Sequence, residues 1–192
     1  MYIQITTRCN MACEHCGMNC TANGEDMSRE TFKKALEFCD EIISIGGGEP
    51  TIHPLFWDFL GMSLATKDDI WMATNGSIKD TALTLAKLTE KEIIICELSL
   101  DPYHDKISRE VEEAFFKIQK IRDTSGSLIK EGRCEEGEEG CICEEFVIVP
   151  NGNIKQCGCL DAPIIGSVYN DDFMFFDSGC YKELENIEDD YT

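Results

Sequence analysis

No apolar run in this chain approaches the ~20 residues that a membrane-spanning helix requires. No positively charged, apolar signal segment opens it either, because Arg8 and Cys9 already belong to a cysteine cluster. Basic residues are scarce: 17 Lys and Arg face 37 Asp and Glu, a formal net charge of −20. Such a chain repels phosphate backbones at long range, which excludes a broad electrostatic nucleic-acid footprint. The acidity is read as a device for solubility rather than for a cationic substrate. Its densest runs, residues 135–139 and 183–190, are expected to be solvated loop or tail. Neither an internal repeat nor a low-complexity linker interrupts the 192 residues.

Cysteine, by contrast, is abundant, with 12 residues. A globular chain of this length buries roughly 70% of its unfolded surface and needs no disulfides. Many cysteines without an export signal read as metal ligation in a reducing cytoplasm. The densest group is Cys9-Asn10-Met11-Ala12-Cys13-Glu14-His15-Cys16, with gaps of three and two between its thiols. An odd number of thiols leaves one over in any disulfide framework. Three thiolates suit one iron–sulfur cluster, and a cubane held by three keeps one iron without a protein ligand. A zinc site with His15 or Cys20 as the fourth ligand is the alternative.

Short β-branched runs alternate with amphipathic stretches along the first two thirds of the chain. Strands are expected at residues 2–6, 42–45, 69–73 and 92–100. Helices are expected from Ser28, which can cap, to about Cys39, and over 54–66, 79–90 and 108–123. Residues 127–130 supply a short fifth strand. Strands alternating with helices indicate a parallel sheet with right-handed crossovers. Four or five βα units do not close an eight-stranded barrel. The expected fold is α/β, a partial, open, TIM-like parallel βα barrel with a small cysteine-rich C-terminal extension. That extension carries a β-hairpin over 146–155, with Asn151-Gly152 as a two-residue turn. The boundary is placed near residue 130, giving a barrel of 1–130 and an extension of 131–192.

In parallel α/β sheets, ligands bind at the carboxyl ends of the strands. Cys9–Cys16 follows the first strand, Gly47-Gly48-Glu49-Pro50 the second and Thr74-Asn75-Gly76 the third, while Ser99 and Asp101 close the fourth. Glycines let a ligand approach the backbone closely. A Gly-rich turn and an Asx turn are the plain structural readings of the middle two.

The C-x3-C-x2-C spacing, followed in order by these landmarks, resembles the radical S-adenosylmethionine superfamily over residues 2–105. The resemblance implies a [4Fe–4S] cluster on Cys9, Cys13 and Cys16. It also implies S-adenosylmethionine bound through Gly47, Gly48 and Glu49, with His15 near the adenine and Ser99 at the ribose. Thr74, Asn75 and Asp101 line the same ligand. The implied chemistry is reductive cleavage of a carbon–sulfur bond, giving a 5′-deoxyadenosyl radical that abstracts hydrogen from substrate. No Gly-x-Ile-x-Gly-type motif appears on a fifth strand, so part of the adenine pocket is unassigned. His104, at the same rim, is a candidate for proton or substrate handling, with a surface histidine as the plainer reading. Arg8 and His53 carry the same plain reading.

A second cysteine set comprises Cys134, Cys141, Cys143, Cys157, Cys159 and Cys180. Cys141 and Cys143 precede the hairpin, and Cys157 and Cys159 follow it. The spacing Cys141-x10-Gly152-x4-Cys157 resembles the opening of SPASM or twitch extensions, although the full SPASM pattern is missing. The resemblance implies an auxiliary [4Fe–4S] cluster on Cys141, Cys143, Cys157 and Cys159, with Cys134 and Cys180 as substitutes. A zinc knuckle or free thiols are the alternatives. Cys39 and Cys96 read as core, and Cys20 as a spare surface thiol. The functional expectation is modification of a peptide or protein, with an electron donor such as flavodoxin or ferredoxin and no membrane association. A radical rearrangement or modification of a nucleobase or nucleotide is the alternative within enzymes. A non-catalytic electron-transfer protein is the alternative outside them.

Overall fold

Four strand–helix units follow one another from the first residue. A computed structural model describes residues 1–67, 69–140 and 145–170. The units comprise β1 (Tyr2–Thr6), α1 (Arg29–Phe38), β2 (Ile42–Gly47), α2 (Phe56–Leu64), β3 (Asp69–Thr74), α3 (Lys79–Glu90), β4 (Ile95–Ser99) and α4 (Arg109–Lys117). Four shorter strands follow: β5 (Ile121–Arg122), β6 (Val147–Ile148), β7 (Asn153–Lys155) and β8 (Ile164–Ser167). All eight form one open sheet in the order β5-β4-β3-β2-β1-β6-β7-β8. Pairing is parallel from β5 through β6 and antiparallel from β6 to β8. No described helix is long and apolar enough to cross a membrane.

The strands alternate as their sequence requires. Ile43, Ile45, Met72, Cys96 and Leu98 are fully or almost fully buried against the helices. Ser28 caps α1 by accepting the Thr31 N–H, and α1 then sets Phe32 face to face with Phe59 of α2, ring centroids 4.1 Å apart. Burying each such aromatic contributes about 1.5–3 kcal/mol. As expected, Cys39 and Cys96 lie in the core.

Three local expectations differ from the fold. Helix α4 stops at Lys117 instead of running to residue 123. Gln119 adopts a left-handed conformation (φ 55°), its N–H bonds to the Phe116 carbonyl, and the Lys120 N–H reaches back to the Phe115 carbonyl. This Schellman closure turns the chain into β5, where Ile121 pairs with Leu98. The fifth strand is therefore 121–122, and the stretch 127–130 makes only a single bridge, Ile129 to Glu138. Glu92 (φ 57°) ends α3 in the same way, delaying β4 to Ile95. At the hairpin tip only Gly152 is left-handed (φ 87°), whereas a two-residue Asn-Gly turn of type I′ needs Asn151 to be so as well. Pro150 and Asn151 instead form the middle of a turn closed by the Gly152 N–H on the Val149 carbonyl, 2.8 Å.

Strand β6 pairs with the opposite edge of β1 from β2, setting Tyr2 beside Val147 and Ile3 beside Ile148. Strands β6 to β8 thus extend the same sheet, and β1 lies in its interior. The carboxyl ends of β1 to β4 remain together on one rim.

Candidate active site

The loop between β1 and α1 holds the first three cysteines and is zipped to itself. The Cys9 N–H bonds to the Thr21 carbonyl at 2.8 Å, Thr7 to Glu25 at 2.9 Å, and Met27 returns to the Ile5 carbonyl at 2.8 Å. Cys9, Cys13 and Cys16 are half-buried. Cys20 is buried, not a surface thiol: the folded-back loop carries it inward, where its S–H donates to the Met18 carbonyl at 3.7 Å. The neighbouring Cys20 thiol is the main cause lowering the Cys16 pKa, and Cys20 is raised in return. Burial raises Cys9 and pushes Cys13 up to about 11, the neighbouring cysteines adding to the latter. Three soft thiol donors on one partly open loop fit an iron–sulfur cluster.

The glycine turn after β2 is stitched onto this loop. The Gly48 N–H bonds to the Thr6 carbonyl and the Glu49 N–H to the Arg8 carbonyl, both at 2.9 Å. A Cβ on Gly48 would lie 2.1 Å from the Arg8 oxygen, and one on Gly47 (φ 140°) 2.0 Å from the Thr6 oxygen. Only glycine permits that approach.

Glu49 is 1% exposed and receives four donors. Its Oε1 accepts the Thr51 N–H (3.1 Å), the Thr51 hydroxyl (2.5 Å) and the Thr74 hydroxyl (2.8 Å). Its Oε2 accepts the Asn75 N–H at 2.6 Å. Burial pushes the carboxyl up from its ordinary value, and the four bonds pull it partly back. Asn75 forms the expected Asx turn, its Oδ1 accepting the Ser77 N–H at 3.0 Å. Its Nδ2 also donates to Asn10 Oδ1 at 3.0 Å and approaches Cys9 Sγ at 3.9 Å. The turns after β1, β2 and β3 are therefore one bonded assembly.

At the end of β4, Ser99 is buried and Asp101 gathers two imidazoles. His104 Nδ1 lies 2.8 Å from Asp101 Oδ1, and His15 Nε2 lies 3.3 Å from Asp101 Oδ2. His15 also sits 4.8 Å from the Tyr103 ring, centroid to centroid. Burial lowers the His15 pKa, and its Nδ1 is buried without a hydrogen-bond partner. His104 is 13% exposed in this cluster, more buried than a surface histidine. Burial depresses His53, whose Nε2 meets the Met27 carbonyl and whose Nδ1 accepts the Leu55 N–H; it is a core residue. Arg8 binds Asp26 and the Ile52 carbonyl.

Arg133 carried no sequence signal, yet it grips the cysteine loop. Its backbone N–H bonds to the Cys16 carbonyl, Nε to the Cys13 carbonyl, and Nη1 to the Cys20 carbonyl and to Asn19 Oδ1. Four donors on a segment more than 110 residues away leave no periodic or local pattern to read.

Cys134, Cys157 and Cys159 are buried beyond the barrel units, the last two in a bend after β7 rather than on a strand. Glu131 Oε1 accepts the Leu160 N–H at 2.8 Å, tying the segment before Cys134 to the bend after Cys159. Cys141, Cys143 and Cys180 lie outside the described residues.

Comparison with known proteins is consistent with this rim. The chain is 30% identical over 106 residues to the mycofactocin maturase MftC of Mycolicibacterium smegmatis, covering 51% of this chain and 26% of that protein. It is 32% identical over 108 residues to a tungsten-containing aldehyde ferredoxin oxidoreductase cofactor-modifying protein of Pyrococcus furiosus, covering 53% and 30%. The aligned part thus spans less than a third of either relative. Streptococcus suis SuiB bound to S-adenosylmethionine shares the fold with a TM-score of 0.54 at 14% identity, over 88% of this chain and 63% of that one. The family model described as the Radical SAM superfamily matches residues 3–126. That span holds the cysteine loop and every strand-end turn described above, and this chain belongs to the radical SAM superfamily.

Proposed function

We propose that Cys9, Cys13 and Cys16 hold the [4Fe–4S] cluster of a radical S-adenosylmethionine enzyme that modifies a peptide or protein. When bound, cluster and cofactor supply reductive carbon–sulfur cleavage and a 5′-deoxyadenosyl radical for hydrogen abstraction. The observation that carries the reading is the Glu49 assembly. It locks the Gly47-Gly48 turn and the Thr74-Asn75 turn to each other, and Asn75 reaches Cys9. The protein's own contribution is position and exclusion of water. His15, neutral and anchored through Nε2 to Asp101, offers its unpartnered Nδ1 as an acceptor for a ligand N–H such as that of adenine. His104, held through Nδ1 by Asp101, presents Nε2 for a substrate proton. Gly47, Gly48, Thr74 and Ser99 complete the cofactor site.

A macromolecular substrate is supported by the relatives. One is named a maturase, and SuiB has been solved bound to its precursor peptide SuiA. In this reading the rim of the open sheet admits a large substrate from the side. Residues 131–192 form a twitch-like extension in this reading. Its auxiliary cluster uses Cys141, Cys143, Cys157 and Cys159, with Cys134 or Cys180 as replacements. A flavodoxin or ferredoxin supplies the electron.

Anaerobic reconstitution with iron and sulfide, followed by dithionite and S-adenosylmethionine, should yield 5′-deoxyadenosine. The yield should vanish in Cys9→Ala. Absence of the product in the iron-loaded wild type would overturn the assignment. Cys157→Ala should lower the iron content by about four per chain. Equal iron in that variant and wild type would remove the auxiliary cluster.

A further inference from the structure

Arg133 lies outside residues 3–126, the span shared with the family, yet among the described residues its side-chain hydrogen bonds end on the cysteine loop. Nε and Nη1 are taken by the Cys13 and Cys20 carbonyls and by Asn19. Nη2 is buried and has no hydrogen-bond partner. A guanidinium carries five N–H donors and stays charged at any working pH, so an idle buried end is costly. Gly132 (φ 63°) makes the approach possible, since a Cβ there would stand 2.5 Å from the Cys16 carbonyl oxygen.

We propose that Arg133 is a positioning and tuning residue for the cluster, giving its free Nη2–H to cluster or cysteine sulfur and favouring the reduced state. The inference rests on the three-cysteine cluster site, which iron analysis of the wild type tests separately. The physical reason is direct. Reduction by one electron from a low-potential donor adds one negative charge to the cluster, and a fixed cation with an N–H on sulfur stabilises that charge. In a chain of net charge −20 the surrounding field opposes reduction, so one half-buried cation bonded to the cysteine loop has a large share of the local balance.

The test is redox potentiometry followed by electron paramagnetic resonance on the anaerobically reconstituted full chain, with iron and sulfide counted beforehand. The cluster signal of Cys9–Cys16 is isolated in a Cys157→Ala background if a second cluster is present. Arg133→Gln should retain the cluster but reduce it at least tenfold less readily, a fall of about 59 mV in midpoint for one electron. Arg133→Lys, which keeps the charge, should recover most of that shift. Full iron with an unchanged midpoint in Arg133→Gln overturns the proposal. If Arg133→Gln holds no cluster, Arg133→Lys decides. Restored iron with a near-wild-type midpoint supports the charge and donor role. No cluster in either variant, with far-ultraviolet circular dichroism intact, reduces Arg133 to a loop anchor and overturns it.

Discussion

Replacing Glu49 by Gln tests whether this carboxylate serves the scaffold as well as a ligand. The substitution keeps size and hydrogen-bonding shape but turns one oxygen into an NH2. The amide oxygen can take the place of Oε1 and keep the Thr51 N–H, the Thr51 hydroxyl and the Thr74 hydroxyl. The new NH2 then faces the Asn75 N–H across the 2.6 Å now spanned by Oε2, donor against donor. A hydrogen bond to a charged group contributes about 1.5–3 kcal/mol, and a buried donor left unmet costs about 1–3 kcal/mol. Losing the charge relieves part of the cost of burying it, the same burial that raises the Glu49 pKa. The balance is a loss of about 2–4 kcal/mol. One kcal/mol shifts the melting temperature by about 2–4 °C in a chain of 150–250 residues, so a loss of about 3 kcal/mol lowers it by about 6–12 °C. Thermal unfolding by circular dichroism, with and without S-adenosylmethionine, reads this directly. The fall should appear in both conditions, because the four donors belong to the protein. A variant that melts within about 1 °C of wild type without ligand, and differs only with ligand, would refute the structural role.

Gly48→Ala places a Cβ 2.1 Å from the Arg8 carbonyl oxygen and 3.0 Å from Cys9 Cβ, so the turn or the cysteine loop must move. Iron incorporation on reconstitution should fall several-fold, and wild-type iron would show that the close approach is unnecessary. His53 predicts a pH effect. Its folded pKa is lowered from 6.5, chiefly by burial, with Arg8 lowering and Asp26 raising it. The unfolded state then binds more protons below 6.5, so the stability that His53 contributes is full above that pH and is lost as pH falls through the folded pKa. Protonation would also set an Nδ1–H against the Leu55 N–H. Between pH 7.5 and 5.5 the melting temperature of wild type should fall more steeply than that of His53→Gln, and parallel slopes would contradict the linkage.

How much of this was legible in the sequence depends on whether a feature is local. Helix α3 spans the expected residues 79–90 because its apolar residues recur at helical spacing. The early strands were legible for the analogous reason. The end of α4 was not, because Gln119 takes the left-handed position that usually advertises itself as glycine. The apolar run therefore read on through Ile121, a strand residue. The rim was legible as motifs, since each turn lies next to its strand. The partnerships between turns were not. Nothing local says that Glu49 would be met by Thr74 and Asn75, or that Asp101 would collect His15 and His104. Cys20 was misread for a related reason, its burial being set by a fold-back of the whole loop.

A closed barrel holds its strand-end loops in register by closure; this open sheet has no such constraint and relies on cross-links between the loops themselves. Gly48 and Glu49 fasten the β2 turn to the β1 loop by backbone bonds. Glu49 fastens the β3 turn to both through its side chain, and Asp101 brings the β4 end to His15 beside Cys16. Residues after β5 supply the last link, because Arg133 closes on the loop from the far side of the sequence. The segment holding Arg133 is in turn tied by Glu131 to the bend after β7. Any truncation before Glu131 therefore removes a cation and four hydrogen bonds from the cysteine loop, and also takes β6 from the edge of β1. The cysteines alone do not define this site; the extension is part of how they are held.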